Sequence, residues 1–232
     1  QIGAVLTALT DSGLADNTLV VYCSDHGEAL GEHGLWWKST FYDGSSRVPL
    51  LLSWPGRLPT GAVRTDNVSL MDIGPTLLDV AGAPPLPGAS GHSFRGLLDS
   101  TTEAPAWPDT VWAEYAERGS RAVSRMIRSG PWKYNYYHGH TPELFNLNDD
   151  PGENNNRAGD PALRDLEQQL HSRVLHNWDP DRIAEAMERR NRELALIARW
   201  IHLTHPEEPD PLWFSTPPLN RVDSTIVTHP PP

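Results

Sequence analysis

The chain has 232 residues, with 19 Lys and Arg against 30 Asp and Glu, a formal net charge of −11 and a pI near 5.3. That balance, with no basic stripe, argues against nucleic acid or an anionic membrane surface as a partner. Hydrophobic residues at 38% and charged residues at 21% describe a globular chain long enough to bury a sizeable core in one large or two small domains.

No apolar run approaches the roughly 20 residues that cross a bilayer. The start, QIGAVLTALT, lacks a signal peptide's charged leader and long apolar core, and one cysteine excludes an intrachain disulfide framework. Together these give a cytoplasmic address as the expectation.

Residues 1–12 place Ile2, Val5, Leu6 and Leu9 on one helical face, closed by Gly13, and such a stripe needs a partner to cover it. Residues 18–23, TLVVYC, form a short apolar run rich in β-branched residues and read as a central strand, with Cys23 a small buried residue inside it. The strand stops in Ser24-Asp25-His26-Gly27, at the carboxyl edge where open α/β sheets place their ligands. A carboxylate beside an imidazole suits a divalent cation, although Asp and Gly are also ordinary turn formers.

Lys38 follows thirteen positions after Asp25, among Trp36, Trp37, Phe41 and Tyr42, which can shield it from bulk water. There it can hold an oxygen of a coordinated sulfate or phosphate, or stabilise a leaving oxygen; the alternative is a solvated surface lysine. His33, between Glu32 and Gly34, is a second catalytic candidate as a donor to substrate or leaving group, against a solvated loop histidine. Arg47 reads as a structural ion-pair partner for a carboxylate such as Asp43. Residues 48–54 form a second apolar run, a buried strand of the same sheet.

Further on, Asp72 reads as the N-cap of a helix that Gly82 stops, with Leu77, Leu78 and Val80 docking it on the sheet. Residues 84–108 are rich in Pro, Gly, Ser and Thr and mark a boundary between residues 1–100 and a small α+β subdomain at 109–180. Its strand-like runs TVWAEY, SRMIRS, WKYNYY and ELFNL predict a small antiparallel sheet, on which Leu163, Leu166, Leu170 and Val174 pack a helix. An amphipathic helix at 181–204, with Ile183, Met187, Leu194, Ile197 and Ile201 as its stripe, leads to a Pro-rich tail at 205–232 carrying Trp213 and Phe214. Helix and tail together could build a homo-oligomer.

SDHGEALGEHGLWWKSTFYDGSSRVPLLLSWPG resembles the metal-and-lysine segment of the type I sulfatases, a branch of the alkaline phosphatase superfamily, and is most similar to choline-sulfatases and their bacterial relatives. VSLMDIGPTLLDVAGAP, RMIRSGPWKYNYYHG and ELFNLNDDPGENNN resemble further sulfatase segments in the same order.

The resemblance implies an α/β fold: part of an alkaline-phosphatase-like sheet followed by a small antiparallel-sheet-plus-helix subdomain. It implies Asp25 and His26 as ligands of a divalent metal ion (calcium, with manganese or magnesium as alternatives), Lys38 on the sulfate group, and a small sulfated substrate. Glu114, beside Tyr115, falls in the neighbourhood that shapes the substrate pocket of choline-sulfatase-like enzymes; a plain edge carboxylate is the alternative. Relatives of that kind also use C-terminal tails in oligomer assembly.

Sulfatases attack sulfur with a formylglycine made within a C/S-x-P/A-S-R motif, and Cys23, followed by Ser24, Asp25 and His26, does not stand in one. The expectation is therefore the C-terminal part of a sulfatase, inactive without the nucleophile region. Two alternatives remain: a phosphonate monoester or phosphodiester hydrolase of the same superfamily, and a non-catalytic assembly module.

Overall fold

The computed structural model describes residues 1–98, 107–116 and 123–206, so the aromatic pair of the Pro-rich tail lies outside the described residues. The chain forms two compact units, Gln1–Met187 and Glu188–Pro232.

The first unit opens with helix α1 (Ile2–Asp11), closed by Gly13 at φ 72°. Strand β1 (Val20–Cys23) pairs antiparallel with β4 (Leu50–Ser53), setting Cys23 opposite Leu50. Between them lie the two-residue strands β2 (Ala29–Leu30) and β3 (Trp36–Trp37), paired with each other, and the short helix α2 (Asp43–Ser46).

The expected burial of these strands is corrected. Cys23 is exposed, and Tyr22 and Leu51 are 46% and 57% accessible. A two-stranded ribbon offers both faces, and an apolar run is buried only where something packs on each. For the same reason α1 buries none of its residues and keeps Ile2, Val5 and Leu6 in solvent.

The helix expected after Asp72 begins one turn earlier. Ser69 caps a 3-10 turn over Leu70–Asp72 in a reciprocal box with Asp72, and α3 (Ile73–Val80) continues from it. The Asp72 carboxylate thus accepts from Ser69 N at 2.7 Å and from His92 N at 2.8 Å. Thr76 is the buried residue of α3, whereas Leu77 is 42% exposed, contrary to its expected docking role. Helix α4 (Arg95–Leu98) follows and buries Leu97.

The strands β5 (Thr110–Tyr115), β6 (Ser124–Ser129), β7 (Trp132–Tyr137) and β8 (Glu143–Asn146) form an antiparallel meander in that order. Directly opposed residues share a face, so the register separates two sets. Ile127, Tyr134 and Leu144 face helix α5 (Arg164–Val174), where with Leu170 and Val174 they form the core, each 2% exposed or less. Burying each aliphatic side chain of that set stabilises by roughly 1.5–3 kcal/mol. Arg128, Lys133, Asn135, Tyr137 and Phe145 project from the other face, toward α2. The sheet therefore carries the hydrophobic core on one side and a polar joint to the loop bearing Lys38 on the other.

Helix α6 (Pro180–Thr204) spans the boundary between the units and buries none of its residues, leaving Ile197 and Ile201 52% and 47% exposed. No helix among the described residues is long and apolar enough to cross a membrane.

Candidate active site

The turn after β1 and the loop after β3 bring three of the expected residues together. Lys38 Nζ lies 2.7 Å from His26 Nε2, and Asp25 Oδ2 lies 3.5 Å from the same nitrogen. Hydrogen-bond logic assigns the ring. An ammonium only donates, so Nε2 accepts from Lys38; Nδ1 then carries the hydrogen and donates to Gly27 O at 2.8 Å.

Asp25 Oδ1 accepts from the backbone N–H of His26 at 3.0 Å. That bond, helped by the nearby ammonium of Lys38, holds the carboxyl below its usual range and keeps it ionised. The Asp25 side chain is 84% exposed, so the corner opens to solvent.

A charged carboxylate next to an imidazole nitrogen is a donor pair that fits a divalent cation once the Lys38 ammonium, which occupies the Nε2 lone pair here, turns away. Among the described residues no group of three or more His, Cys, Asp and Glu gathers to complete a coordination shell.

Lys38 is flanked by two non-glycine residues in the left-handed region, Trp37 at φ 74° and Ser39 at φ 86°. Such positions cost of order 1–3 kcal/mol each and cluster where a side chain has to be aimed. The aromatic shield expected around Lys38 is only partly present. Phe41 is 5% exposed, but Trp36 and Trp37 are 67% and 73% exposed, although Ala29, opposite Trp37 in the ribbon, is 4% exposed.

His33 takes φ 54°, and its ring stacks flat on Tyr42, with centroids 3.8 Å apart and planes at 9°. The pair borders a cleft of about 220 Å³ lined also by Glu32, Thr40, Asp43 and Glu153. The Tyr42 hydroxyl donates to Glu143 Oε1 at 2.7 Å, while Tyr137 and Asn135 donate to Oε2 at 2.9 and 3.0 Å. Burial, then the Glu143 carboxylate, pushes the phenols of Tyr42 and Tyr137 up.

Glu114 is not brought to this corner. It stands opposite Arg125 on the α5 face of the sheet and pairs with Arg125 Nε at 3.1 Å, whereas the loop bearing Lys38 meets the other face. Arg47 lies 3.6 Å from Asp43 Oδ2, the ion pair expected of it.

Asp43, Lys133, Glu143 and Glu153, which tie the loop to the sheet, all lie in the segments that carry the family resemblance, but no sequence pattern singles them out as a joint. Lys133 and Asn135 alternate with aromatic residues in β7, a pattern that on its own reads as a solvated face.

Residues 31–179 match the family model described as N-sulphoglucosamine sulphohydrolase, C-terminal. The chain belongs to the type I sulfatase family. Its matched region is the C-terminal portion of these enzymes. A choline-sulfatase of Rhizobium meliloti is 37% identical over 214 residues, 87% of this sulfatase chain and 38% of the relative. Arylsulfatase K of Danio rerio is 36% identical over 200 residues, 83% of the chain and 37% of the relative.

Among solved structures, a protein in complex with its substrate D-glucosamine-2-N,6-O-disulfate superposes with a TM-score of 0.71 at 28% identity, covering 78% of this chain and 39% of that one. A phosphonate monoester hydrolase of Agrobacterium radiobacter gives 0.67 at 30% identity, covering 75% and 37%. The sulfatase chain thus spans under two fifths of the length of these curated relatives, and its fold is the alkaline-phosphatase-like α/β class of these structures.

Proposed function

We propose that this chain supplies the cation-and-lysine half of a sulfatase site that hydrolyses a small sulfate ester. The observation that carries the reading is the convergence of Lys38, His26 and Asp25 within 3.5 Å on one solvent-facing corner. Asp25 and His26 would hold a divalent metal ion, calcium first, which when bound would screen the sulfate oxygens. Lys38 would place its ammonium on an oxygen of the transferred group and offset the charge that builds there. The Gly27 carbonyl keeps the His26 hydrogen on Nδ1, leaving Nε2 free of a proton at the reacting side.

The remaining cation ligands and the formylglycine nucleophile would come from the sulfatase region that the relatives carry and this match does not cover. On this reading purified residues 1–232 leave an aryl sulfate unhydrolysed, and joining them to such a region confers turnover that Lys38→Ala sharply lowers. Hydrolysis at full rate by residues 1–232 alone would refute it.

The phosphonate monoester hydrolase likeness favours a second reading, in which the same corner serves a phosphonate ester. Turnover of matched sulfate and phosphonate esters by the joined enzyme separates the two.

A further inference from the structure

Lys133, the second residue of β7, is buried, 1% exposed. It donates to Asp43 Oδ1 at 2.8 Å and lies 2.7 Å from Glu153 Oε1, the latter an ion pair outside hydrogen-bond geometry. Glu153 is itself 4% exposed at φ 53°, and its Oε2 accepts from the Asp43 backbone N–H at 2.6 Å. Asp43, the first residue of α2, is therefore gripped by its side chain and by its main chain.

Two residues along, Ser45 O accepts from Gly27 N at 2.8 Å, and Gly27 O in turn holds His26 Nδ1. A path of polar contacts joined by the backbone of α2 between Asp43 and Ser45 thus runs from Lys133 on the sheet to Gly27 and the His26–Lys38 contact. Glu153 has Lys133 as its ion-pair partner among the described residues and cannot leave it without stranding a buried charge, whereas Asp43 is also reached by Arg47 at 3.6 Å and Arg128 at 3.9 Å. The joint is consequently stiff in the direction that fixes the turn after β1.

We propose that Lys133 is a positioning residue for the Asp25–His26–Lys38 corner, acting through Asp43 and Glu153 to seat α2 against Gly27. The assignment of that corner as a sulfatase site rests on the reading above; the mechanical coupling does not.

The test is nitrogen and methyl NMR on residues 1–232. In Lys133→Met the His26 ring nitrogens should lose the signature of an Nε2 accepting from Lys38, matching Lys38→Ala, while the Leu144, Leu170 and Val174 methyl shifts stay in place. Glu153→Gln, which keeps its shape, should move the same ring signals part of the way. Native His26 signals in either folded variant overturn the proposal.

The unmodified protein gives a measurement independent of whether a variant folds: the Gly27 and Asp43 amides should exchange with deuterium at matching protection across denaturant. Protection at Gly27 weaker by more than about tenfold would show that α2 does not hold the turn, and would overturn the coupling. Absence of sulfatase turnover in the joined enzyme, with this coupling intact, would instead count against the functional reading alone.

Discussion

Gly27 donates its backbone N–H to the carbonyl of Ser45 over 2.8 Å, and a methyl group built on its Cα would overlap the Gly44 carbonyl oxygen. The two segments that carry the site meet backbone to backbone. Gly27→Ala is expected to destabilise by about 1–3 kcal/mol, since neither main chain can yield as a side chain would. Urea titration followed by tryptophan fluorescence measures it; an unchanged midpoint would show that the segments are looser than this contact requires.

On the proposed function, Lys38 and Asp25 divide the chemistry between them. In the enzyme completed with its nucleophile region, Lys38→Ala is expected to lower turnover of an aryl sulfate by about 10²–10³-fold, the loss typical of removing one charge-stabilising donor. Asp25→Ala should instead shift the calcium dependence to higher concentration. Steady-state kinetics across a calcium series separates the two, and identical behaviour of both variants would contradict the division of roles.

The left-handed residues beside Lys38 lead to a trade of stability against function. Ser39→Gly should relieve roughly 1–3 kcal/mol of backbone strain against roughly 0.5–1 kcal/mol of added chain entropy. The expected result is a modestly higher unfolding midpoint with slower turnover in the completed enzyme, as Lys38 is aimed less firmly. A lower midpoint would mean that the Ser39 side chain contributes more than its strained backbone costs.

The core on the α5 side should respond as a packed interior. Leu144, fully buried against Leu170 and Val174, is expected to cost about 2–5 kcal/mol when cut to alanine. Chemical denaturation reads this directly. A change below that range would show that the sheet and α5 close over the space.

Alkaline pH should weaken the fold. Burial, with Glu167 and Tyr136 adding, pushes the Tyr134 phenol up to about 12 from its ordinary 10.0, and Tyr42 and Tyr137 are also raised. The unfolded chain releases these protons first, so the native state holds more of them between pH 10 and about 12. Their stabilising contribution is whole below pH 10 and drains away as pH rises through that window. Denaturation midpoints between pH 8 and 11.5 test the sign, and tyrosinate absorbance should lag behind that of free tyrosine. A midpoint constant across the series would refute the linkage.

Much of this molecule could be read from order and spacing alone. The four runs TVWAEY, SRMIRS, WKYNYY and ELFNL became β5 to β8, and Leu163, Leu166, Leu170 and Val174 pack against the sheet as their helical spacing implies. Local chemistry decides such elements, because a period of two or of about 3.6 is a property of the chain itself. Asp25, His26 and Lys38 were legible for a related reason, since they sit within one short segment whose pattern resembles a family.

Tertiary structure decided the rest. It turned Cys23, Trp36 and Trp37 outward, because burial depends on what packs across a face and not on the run itself. It sent Glu114 to the α5 side of the sheet and buried Lys133 on the other. A strand pattern shows that two faces alternate, but only the packed neighbours, α5 on one side and the Asp43 loop on the other, determine that neither is water.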